Sequence, residues 1–521
     1  MGSDVRTVLA PEVGTGLYRV APWVLVRTPL LPASGRDLAN QPRRALSDPE
    51  VVRALAIGSP TLLADALKDP DGKDAARTDQ GLARYLIRMS TRPTPYGAFA
   101  GVSLATWGPA TDLRLSEGRR TRTRPDMAWL RGLLAQWENR PEVRARLRWR
   151  ADPLAHESGD RLIASTGGSV RATEPARLAL AEAGGWIGHE ELTGRIVTAT
   201  GGTIEQVHGL LDQLRTAGLL HSDLAPALTG ADATTGVDSL RLVSAVDEDL
   251  STRMAALMAS ITEADAGGAG PAPHAFARVT EQARGLFDHA ETFQTDLHRE
   301  LSGDTVAGEV GLECARAVET LLRIGPGPSA AGDLATYAKR FAARWGAGRE
   351  VPLTEVFDPV RGLGPLPHTH GTASLDPAVQ ARRSERLMSL ALEALRDERR
   401  VVELDQPTIA ALTTWPASGG TASGRPLTPM SAPDAPLSLD VSAFVLAPDA
   451  AAVDRGEFTV VIGPNLGASV AGRWLGRFAD LFDGLGDGFF GWLNRAEQEA
   501  DQGSVPAEVV YLPGSPRSTN V

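Results

Sequence analysis

The sequence of 521 residues has a single cysteine and no long uncharged apolar run. One cysteine, Cys314, excludes an intramolecular disulfide and any zinc site built from cysteines. Cys314 lies in an apolar helical pattern, LECARAVETLL, which favours a core residue over a nucleophile. No apolar stretch of about 18 residues and no signal-peptide core occur, so nothing marks the chain for a membrane or for export. We therefore expect a cytoplasmic protein.

Several nucleotide and catalytic motifs are also missing. The sequence has no Walker loop, no dinucleotide fingerprint and no GxSxG nucleophile motif. His368 and His370 alternate in a loop with no obvious third ligand, which does not suffice for a metal site. We therefore predict no metal and no bound cofactor.

The charge is unevenly distributed along the chain. The net charge is -11, which alone argues against nucleic acid, but residues 1–150 hold 24 Lys and Arg against 15 Asp and Glu. Residues 114–150 contain 11 arginines with four acids and three interleaved tryptophans. Arginines interleaved with aromatic residues are suited to contact with phosphates and bases. The alternative is a solvated surface, on which the arginine stems cover apolar groups. The arginines singled out for RNA contact are Arg119, Arg120, Arg122 and Arg124.

Length and low-complexity segments divide the chain into about three packed units. Segments 225–237, 263–273 and 415–436 read as linkers. The units are 1–150, 151–226 and 238–521. Interleaved helical and strand patterns predict a mixed α/β (α+β) enzyme body.

The first unit contains strand and helix patterns that end at proline and glycine residues. LYRVAPWVLVRTPLLP reads as a strand with Arg27 near its end, and helical patterns follow from about residue 48 to 92. Pro93 ends the last helix, and the chain turns at Gly97 and Gly101 into a strand. Arg88 and Arg92 are four apart on that helix, so they are expected on one face as an anion site or as two solvated arginines.

The second unit reads as an inserted winged helix-turn-helix. A hairpin at Gly167-Gly168 precedes three helical stretches, the last one capped by Thr203 and closed at Gly218. That helix carries two acids against Arg215, which is the wrong balance for DNA. We instead expect a peptide to add as a strand along SVRAT, which contains Val170 and Arg171.

The third unit begins with helices. YAKRFAARWG reads as a helix that stops at Gly346, and another is expected from Asp376-Pro377 to about Arg400. Two strands, LSLDVSAFVLA and FTVVIG, follow near the end of the chain.

Several blocks follow one another along the chain: VLVRTPLLP, YLIRMSTRPTPYGAFAGVSL, RTRPDMAWL, YAKRFAARWG with VPLTEVFDPVRGLG, AGRWLGRFADL and VVYLPGSPRSTNV. In this order they resemble the N-terminal region of lantibiotic (class I lanthipeptide) dehydratases of the LanB type. The resemblance implies glutamylation of Ser/Thr in a precursor peptide, with glutamyl-tRNA as co-substrate. The site residues that it implies are Arg27, Arg88, Arg92, Thr94, Asp296 and Arg477, with Asp126 as a further substrate-binding candidate.

The resemblance also implies partners. The unit at 151–226 is similar to the family's leader-peptide recognition unit. Family members continue beyond Val521, so we expect an elimination domain that is separate or missing, and a separate cyclase. A homodimer is left open. Two alternatives remain: a non-catalytic subunit that binds precursor and tRNA, and a peptide aminoacyl-tRNA ligase on the same scaffold.

Overall fold

The fold is mixed α/β, as the sequence predicts. The computed structural model describes residues 18–68, 74–224, 247–266, 274–325, 329–346, 348–365, 377–413, 438–463, 471–472 and 475–482, together with residues 491, 492, 495 and 498. The expected linkers at 225–237 and 415–436, and also His368 and His370, lie outside these residues.

Twelve strands occur in the described ranges. They are β1 (Trp23–Pro29), β2 (Gly97–Gly108), β3 (Asp112–Pro125), β4 (Arg148–Ala151), β5 (His156–Ser158), β6 (Arg161–Ile163), β7 (Ser169–Arg171), β8 (Ile187–Gly188), β9 (Leu220–Ser222), β10 (Phe293–Ala307), β11 (Ala443–Leu446) and β12 (Thr459–Ile462).

Sixteen α-helices occur in the same ranges. They are α1 (Pro49–Gly58), α2 (Pro60–Lys68), α3 (Ala75–Thr91), α4 (Met127–Glu138), α5 (Pro141–Arg144), α6 (Glu174–Glu182), α7 (His189–Thr200), α8 (Ile204–Thr216), α9 (Glu248–Ala266), α10 (His274–Leu286), α11 (Gly308–Ile324), α12 (Ser329–Trp345), α13 (Leu353–Val356), α14 (Pro377–Arg396), α15 (Gln406–Leu412) and α16 (Ala450–Asp454).

A four-stranded sheet with the order β1-β2-β10-β3 forms the centre of the fold. β10 is parallel to β2 and antiparallel to β3, so it separates two strands that follow each other in the sequence. β1 and β2 confirm the predicted strands, whereas β3 and β10 were not foreseen. The sheet combines strands from the first and third predicted units, and the unit boundaries themselves stay a prediction.

The two faces of β2 pack against different parts of the chain. On one face the Phe99 ring lies 5.0 Å from the Tyr85 ring of α3, and a Cβ on Gly58 of α1 would overlap Phe99. On the other face Val102 packs against Phe478 and its neighbours in the short 3-10 helix Gly476–Leu481. The central sheet is therefore covered on both sides, and the second cover carries Arg477.

Helix α3 confirms the predicted proline stop and corrects one detail. The helix ends at Thr91, directly before Arg92 and Pro93. Arg92 is the C-cap and has extended backbone angles, φ -111° and ψ 111°. Arg88 and Arg92 therefore do not share one helical face, because the residue before a proline is driven out of the helical region.

The unit after residue 151 has the predicted hairpin and three helices. β6 and β7 pair antiparallel around Gly167, whose φ of 85° requires glycine. Helices α6, α7 and α8 follow, and Thr203 and Gln206 form a reciprocal capping box at the start of α8. The chain leaves α8 through Gly218 at φ 76°. The assignment as a winged helix-turn-helix stays a prediction.

The later segments agree with the predicted elements, with two corrections. α12 stops before Gly346 and the strands β11 and β12 are present, as expected. The structure adds that these two strands pair antiparallel. α14 ends at Arg396 rather than near Arg400, and Glu398 follows it with a φ of 51°. Residues 263–266, which were expected to start a linker, instead belong to α9, whose last turns are rich in the helix formers Glu and Ala. The rest of that expected linker, 267–273, lies outside the described residues.

Candidate functional site

The register of β10 brings two distant sequence blocks to the same end of the central sheet. Asp296 lies opposite Gly97, which directly follows the Pro-rich turn after α3. The register then shifts, since the next residue, Leu297, pairs with Gly101. Such bulges re-aim side chains and are common next to active sites. Asp296 and the RPTPYG block are therefore neighbours, although the chain separates them by about two hundred positions.

The carboxylate of Asp296 is the most deeply buried charged group at this end of the sheet, with 1% of the residue exposed. Arg124 donates to Oδ2 at 2.5 Å. Arg477 donates through Nε to Oδ2 at 3.2 Å and through a terminal nitrogen to Oδ1 at 2.6 Å. This is the bidentate fork that arginine forms with a carboxylate. The arrangement brings together Asp296 and Arg477, both implied by the family resemblance.

Arg124 has a different position from the one expected. The residue is 3% exposed, and its ion pair with Asp296 lies inside the protein. A buried guanidinium cannot belong to an exposed phosphate-binding surface. We therefore correct its assignment from RNA contact to the Asp296 cluster.

Arg27 belongs to the same cluster. Burial lowers the pKa of Arg27, the Asp440 carboxylate opposes that shift, and the positive charge of Arg477 adds to it. The segment that carries Arg477 is held by Gly472, whose N–H donates to Asp440 Oδ1 at 2.7 Å, and by Arg120, which donates to the carbonyl of Leu481. Asp440 had no recognisable signal in the sequence.

The second group of predicted residues surrounds the end of α3. The Arg88 guanidinium lies 5.1 Å from the centre of the Tyr96 ring and 6.0 Å from that of Phe99. Arg88 is half-buried, and its Nε has no hydrogen-bond partner among the described residues. Arg92 and Thr94 are exposed. The two aromatic rings restrict the position of the Arg88 guanidinium, and the exposed Arg92 and Thr94 extend the polar surface beside it.

The strand β3 divides the predicted RNA-contact arginines between two faces. Since side chains alternate along a strand, Arg119 lies on one face while Arg120 and Arg122 share the other with Arg124. Arg119 pairs with Glu50 of α1 at 3.3 Å, and Arg122 lies opposite Asp296 in the ladder. The four arginines are therefore not one continuous patch. Their contact with RNA stays a prediction for Arg119, Arg120 and Arg122.

Asp126 has a structural position at the start of α4. Its Oδ1 accepts from the backbone N–H of Ala128 at 2.8 Å and of Trp129 at 3.4 Å, and its Oδ2 accepts from Gln294 at 3.0 Å. Both oxygens are engaged, and the residue is 4% exposed. This geometry favours a positioning role, in which Asp126 joins α4 to β10 beside Asp296. Direct substrate binding by Asp126 stays a prediction.

The sequence analysis missed one further buried network on the opposite face of the sheet. Arg53 donates to Thr121 at 2.7 Å, and Thr121 donates to Asp265 at 2.8 Å. The Arg299 stem lies against Gly101, where a Cβ would overlap it. The only signal in the sequence was Gly101 itself, which we had interpreted as a turn.

The predicted peptide-binding strand is an edge strand. β7 is last in the three-stranded sheet β5-β6-β7. Ala164 N–H donates to Gly168 and Ala172 N–H to Asp160, so by alternation Val170 bonds inward to Leu162. The backbone groups of Ser169 and Arg171 therefore point to the open edge. The edge expected for strand addition is present, and Arg171 rather than Val170 presents its amide there.

Two kinds of feature are absent from the described residues. No group of three or more His, Cys, Asp or Glu side chains is placed to hold a metal ion. No described helix has the length and apolar character needed to cross a membrane.

Comparisons with known proteins define the family. A family model for the lantibiotic dehydratase N terminus matches residues 47–521. The chain therefore belongs to the lantibiotic dehydratases, in which it corresponds to the N-terminal region.

Individual relatives agree with that assignment. Subtilin biosynthesis protein SpaB of Bacillus subtilis is 22% identical over 97% of this chain and 50% of its own length. The crystal structure of the tRNA-dependent lantibiotic dehydratase MibB from Microbispora sp. 107891 superposes with a TM-score of 0.74 at 27% identity, covering 92% of this chain and 47% of MibB. The TbtB glutamylation domain from thiomuracin biosynthesis, at 20% identity and TM-score 0.52 over 86% of this chain and 56% of that one, shares the fold. The chain spans about half the length of SpaB and MibB.

Proposed function

We propose that this chain transfers glutamate from glutamyl-tRNA to Ser and Thr hydroxyls of a ribosomally made precursor peptide. One observation carries the proposal: the buried Asp296 carboxylate fixes Arg477 at the end of the sheet where the RPTPYG turn enters β2. MibB, which superposes over most of this chain, is described as a tRNA-dependent lantibiotic dehydratase.

The reaction requires the protein mainly to orient the two substrates and to stabilise negative charge. The hydroxyl oxygen attacks the glutamyl ester carbonyl, a new ester forms, and the bond to the tRNA ribose oxygen breaks. The hydroxyl proton leaves with that ribose oxygen. Arginines stay protonated, so they suit the phosphates of the tRNA end and the developing oxyanion rather than proton removal.

Each arginine fits a separate part of this task. Arg477 is 35% exposed while two of its nitrogens bind Asp296, so its orientation is fixed and its remaining surface faces outward. The Arg88 guanidinium lies over the Tyr96 ring, 5.1 Å from its centre. Guanidinium groups that are already held in place need little reorganisation when charge develops, which is the source of electrostatic catalysis.

The unit after residue 151 supplies peptide recognition in this proposal. The open edge at Ser169 and Arg171 offers main-chain donors to an added strand. The Arg171 carbonyl already accepts from Thr173, and the Ser169 carbonyl accepts from Arg161. The edge therefore offers amide N–H groups, and an added strand would bind through its carbonyls.

The experiment compares Arg88→Lys and Arg92→Lys with the unchanged chain. Lysine keeps the charge but loses the planar fork, so glutamyl adducts on the precursor should fall sharply while thermal stability barely moves. Mass spectrometry of the precursor after incubation with glutamyl-tRNA counts the adducts. Arg84→Lys, an exposed site on the same helix, serves as the matched control.

One outcome would contradict the roles given to the two arginines, and another would contradict the proposed function. Full adduct yield from both Lys variants would remove these arginines from the site. An unchanged chain that binds precursor and tRNA but forms no adduct would favour the alternative of a non-catalytic binding subunit.

A further inference from the structure

A cavity of about 610 Å³ lies between α5, α7 and α8. Its apolar walls include Trp149, Val197, Ile204 and Leu211. No residue of β7 lines it, so it is separate from the edge strand. α8 packs against β7 as well as lining this cavity, so one helix connects the two features.

The inner wall of the cavity includes His189, whose Nε2–H is a hydrogen-bond donor because Trp149 determines the tautomer of the ring. Trp149 donates its indole N–H to His189 Nδ1 at 3.0 Å. A neutral imidazole that accepts at Nδ1 carries its proton on Nε2. Burial lowers the pKa of His189 to about 4, with contributions from His208 and Arg144, so the ring is neutral at neutral pH. Among the described residues nothing accepts from Nε2.

Thr193 adds a second unused polar group. It lies one turn after His189 on α7, so the two side chains share a helix face. Thr193 is 6% exposed, and its hydroxyl has no hydrogen-bond partner among the described residues. A buried hydroxyl without a partner is costly, and a ligand carbonyl in the cavity would supply the partner.

The charges around the cavity compensate one another. Arg144 pairs with Asp212 at 3.0 Å, and Arg215 pairs with Glu138 at 3.2 Å as well as with Asp212 at 2.9 Å. This lining offers no excess positive charge to a phosphate backbone. Ile204, with 55% of its surface exposed, adds an apolar rim. The complementary ligand is uncharged, with an apolar body and a hydrogen-bond acceptor.

We propose that this cavity binds an apolar side chain of the precursor peptide, while a peptide carbonyl accepts hydrogen bonds from His189 and Thr193. The identity of the peptide rests on the proposed function. A peptide that runs along β7 and continues across α8 would then have two separate anchors, one in its backbone and one in a side chain.

The test uses two glycines on adjacent helices. A Cβ on Gly194 of α7, which lines the cavity, would meet nothing within 4 Å, and the same is true of Gly209 of α8, which does not line it. The Cβ of Gly194→Leu therefore meets no neighbour, and we expect the rest of its side chain to occupy the cavity; Gly209→Leu is the matched control. The probe is N-acetyl-leucinamide, observed by fluorine NMR of the full chain carrying 5-fluorotryptophan. Trp149→Phe identifies the Trp149 signal.

We expect a saturable shift of the Trp149 signal in the unchanged chain and in Gly209→Leu. In Gly194→Leu the affinity for the probe should fall on the order of tenfold or more. Circular dichroism of both variants checks the fold. No shift in the unchanged chain, or equal affinity in the two leucine variants, would overturn the site.

A competition experiment tests the occupant. The precursor peptide should displace the probe from the unchanged chain. A precursor that leaves the probe bound would overturn the precursor as occupant. Neither measurement needs tRNA or glutamyl transfer, so failure of the proposed catalytic function is recognised separately, by missing adducts.

Discussion

Replacement of Asp296 by Asn should lower the stability of the fold more than replacement of its partly exposed partner Arg477. Asp296 and the side chain of Arg124 are 1% and 4% exposed. Asn removes the carboxylate charge that the buried Arg124 guanidinium binds, and breaking a buried ion pair in this way costs about 3–5 kcal/mol. For a folding unit of 150–250 residues this corresponds to a fall in Tm of roughly 6–20 °C.

Arg477→Gln provides the internal comparison. Arg477 is 35% exposed, and Asp296 retains Arg124, so the loss should be at most about 1–2 kcal/mol. Glutamyl transfer should nevertheless fall sharply in both variants, because one removes the Arg477 guanidinium and the other removes the carboxylate that orients it. Thermal unfolding followed by circular dichroism measures the stabilities, and mass spectrometry of the precursor measures transfer.

A double variant separates the ion pair's structural and chemical roles. Asp296→Leu combined with Arg124→Leu replaces the buried charges by apolar groups, which can match a buried ion pair in stability. We expect Tm to recover relative to Asp296→Asn while transfer remains lost. Equal Tm losses in Asp296→Asn and Arg477→Gln, or normal transfer by the double variant, would refute this reasoning.

Three further predictions concern RNA, peptide and pH. Arg119, Arg120 and Arg122 replaced together by Gln should weaken tRNA binding and flatten its salt dependence, and an unchanged salt slope would show a solvated surface instead. Arg171→Pro should lower affinity for the leader peptide because its amide points to the open edge, and unchanged affinity in a folded variant would exclude strand addition there. The pKa of His189, about 4 in the folded chain, lies below its ordinary value of 6.5, so the unfolded chain binds the proton first as pH falls. The free energy of unfolding should therefore decrease from about pH 6.5 to 4, and Tm should decrease less over that window in His189→Gln than in the unchanged chain.

Local signals predicted local structure well. The stop of α3 before Pro93, the Thr203 cap of α8 and the hairpin at Gly167 each depend on residues within a few positions, and each is confirmed. β3 was not recognised because its run of arginines has no alternation of apolar and polar residues. Its charges are compensated by partners far along the chain, which a single sequence does not reveal.

In the candidate site, too, some residues could be predicted from the sequence, while others depend on contacts between distant parts of the chain. The family resemblance brought Asp296 and Arg477 to attention, and the structure joins them. The partner of both, Arg124, was assigned to RNA because its burial depends on β10 lying beside β3. Asp126 had the pattern of an N-cap, with an apolar helix directly after it, and that local signal explains its position better than a substrate role does.

The place of β10 between β2 and β3 has a consequence for how the protein is made. Arg124 and Asp296 are 172 positions apart, so at about 5–20 residues per second the ribosome needs on the order of 10–35 s to supply the central strand after β3 emerges. During that interval β2 and β3 have unpaired edges and can pair with each other as a non-native hairpin, which β10 must then displace. The whole three-helix unit is synthesised in the meantime and can fold first. The nascent chain thus has its expected peptide-binding edge before the Asp296 cluster can assemble.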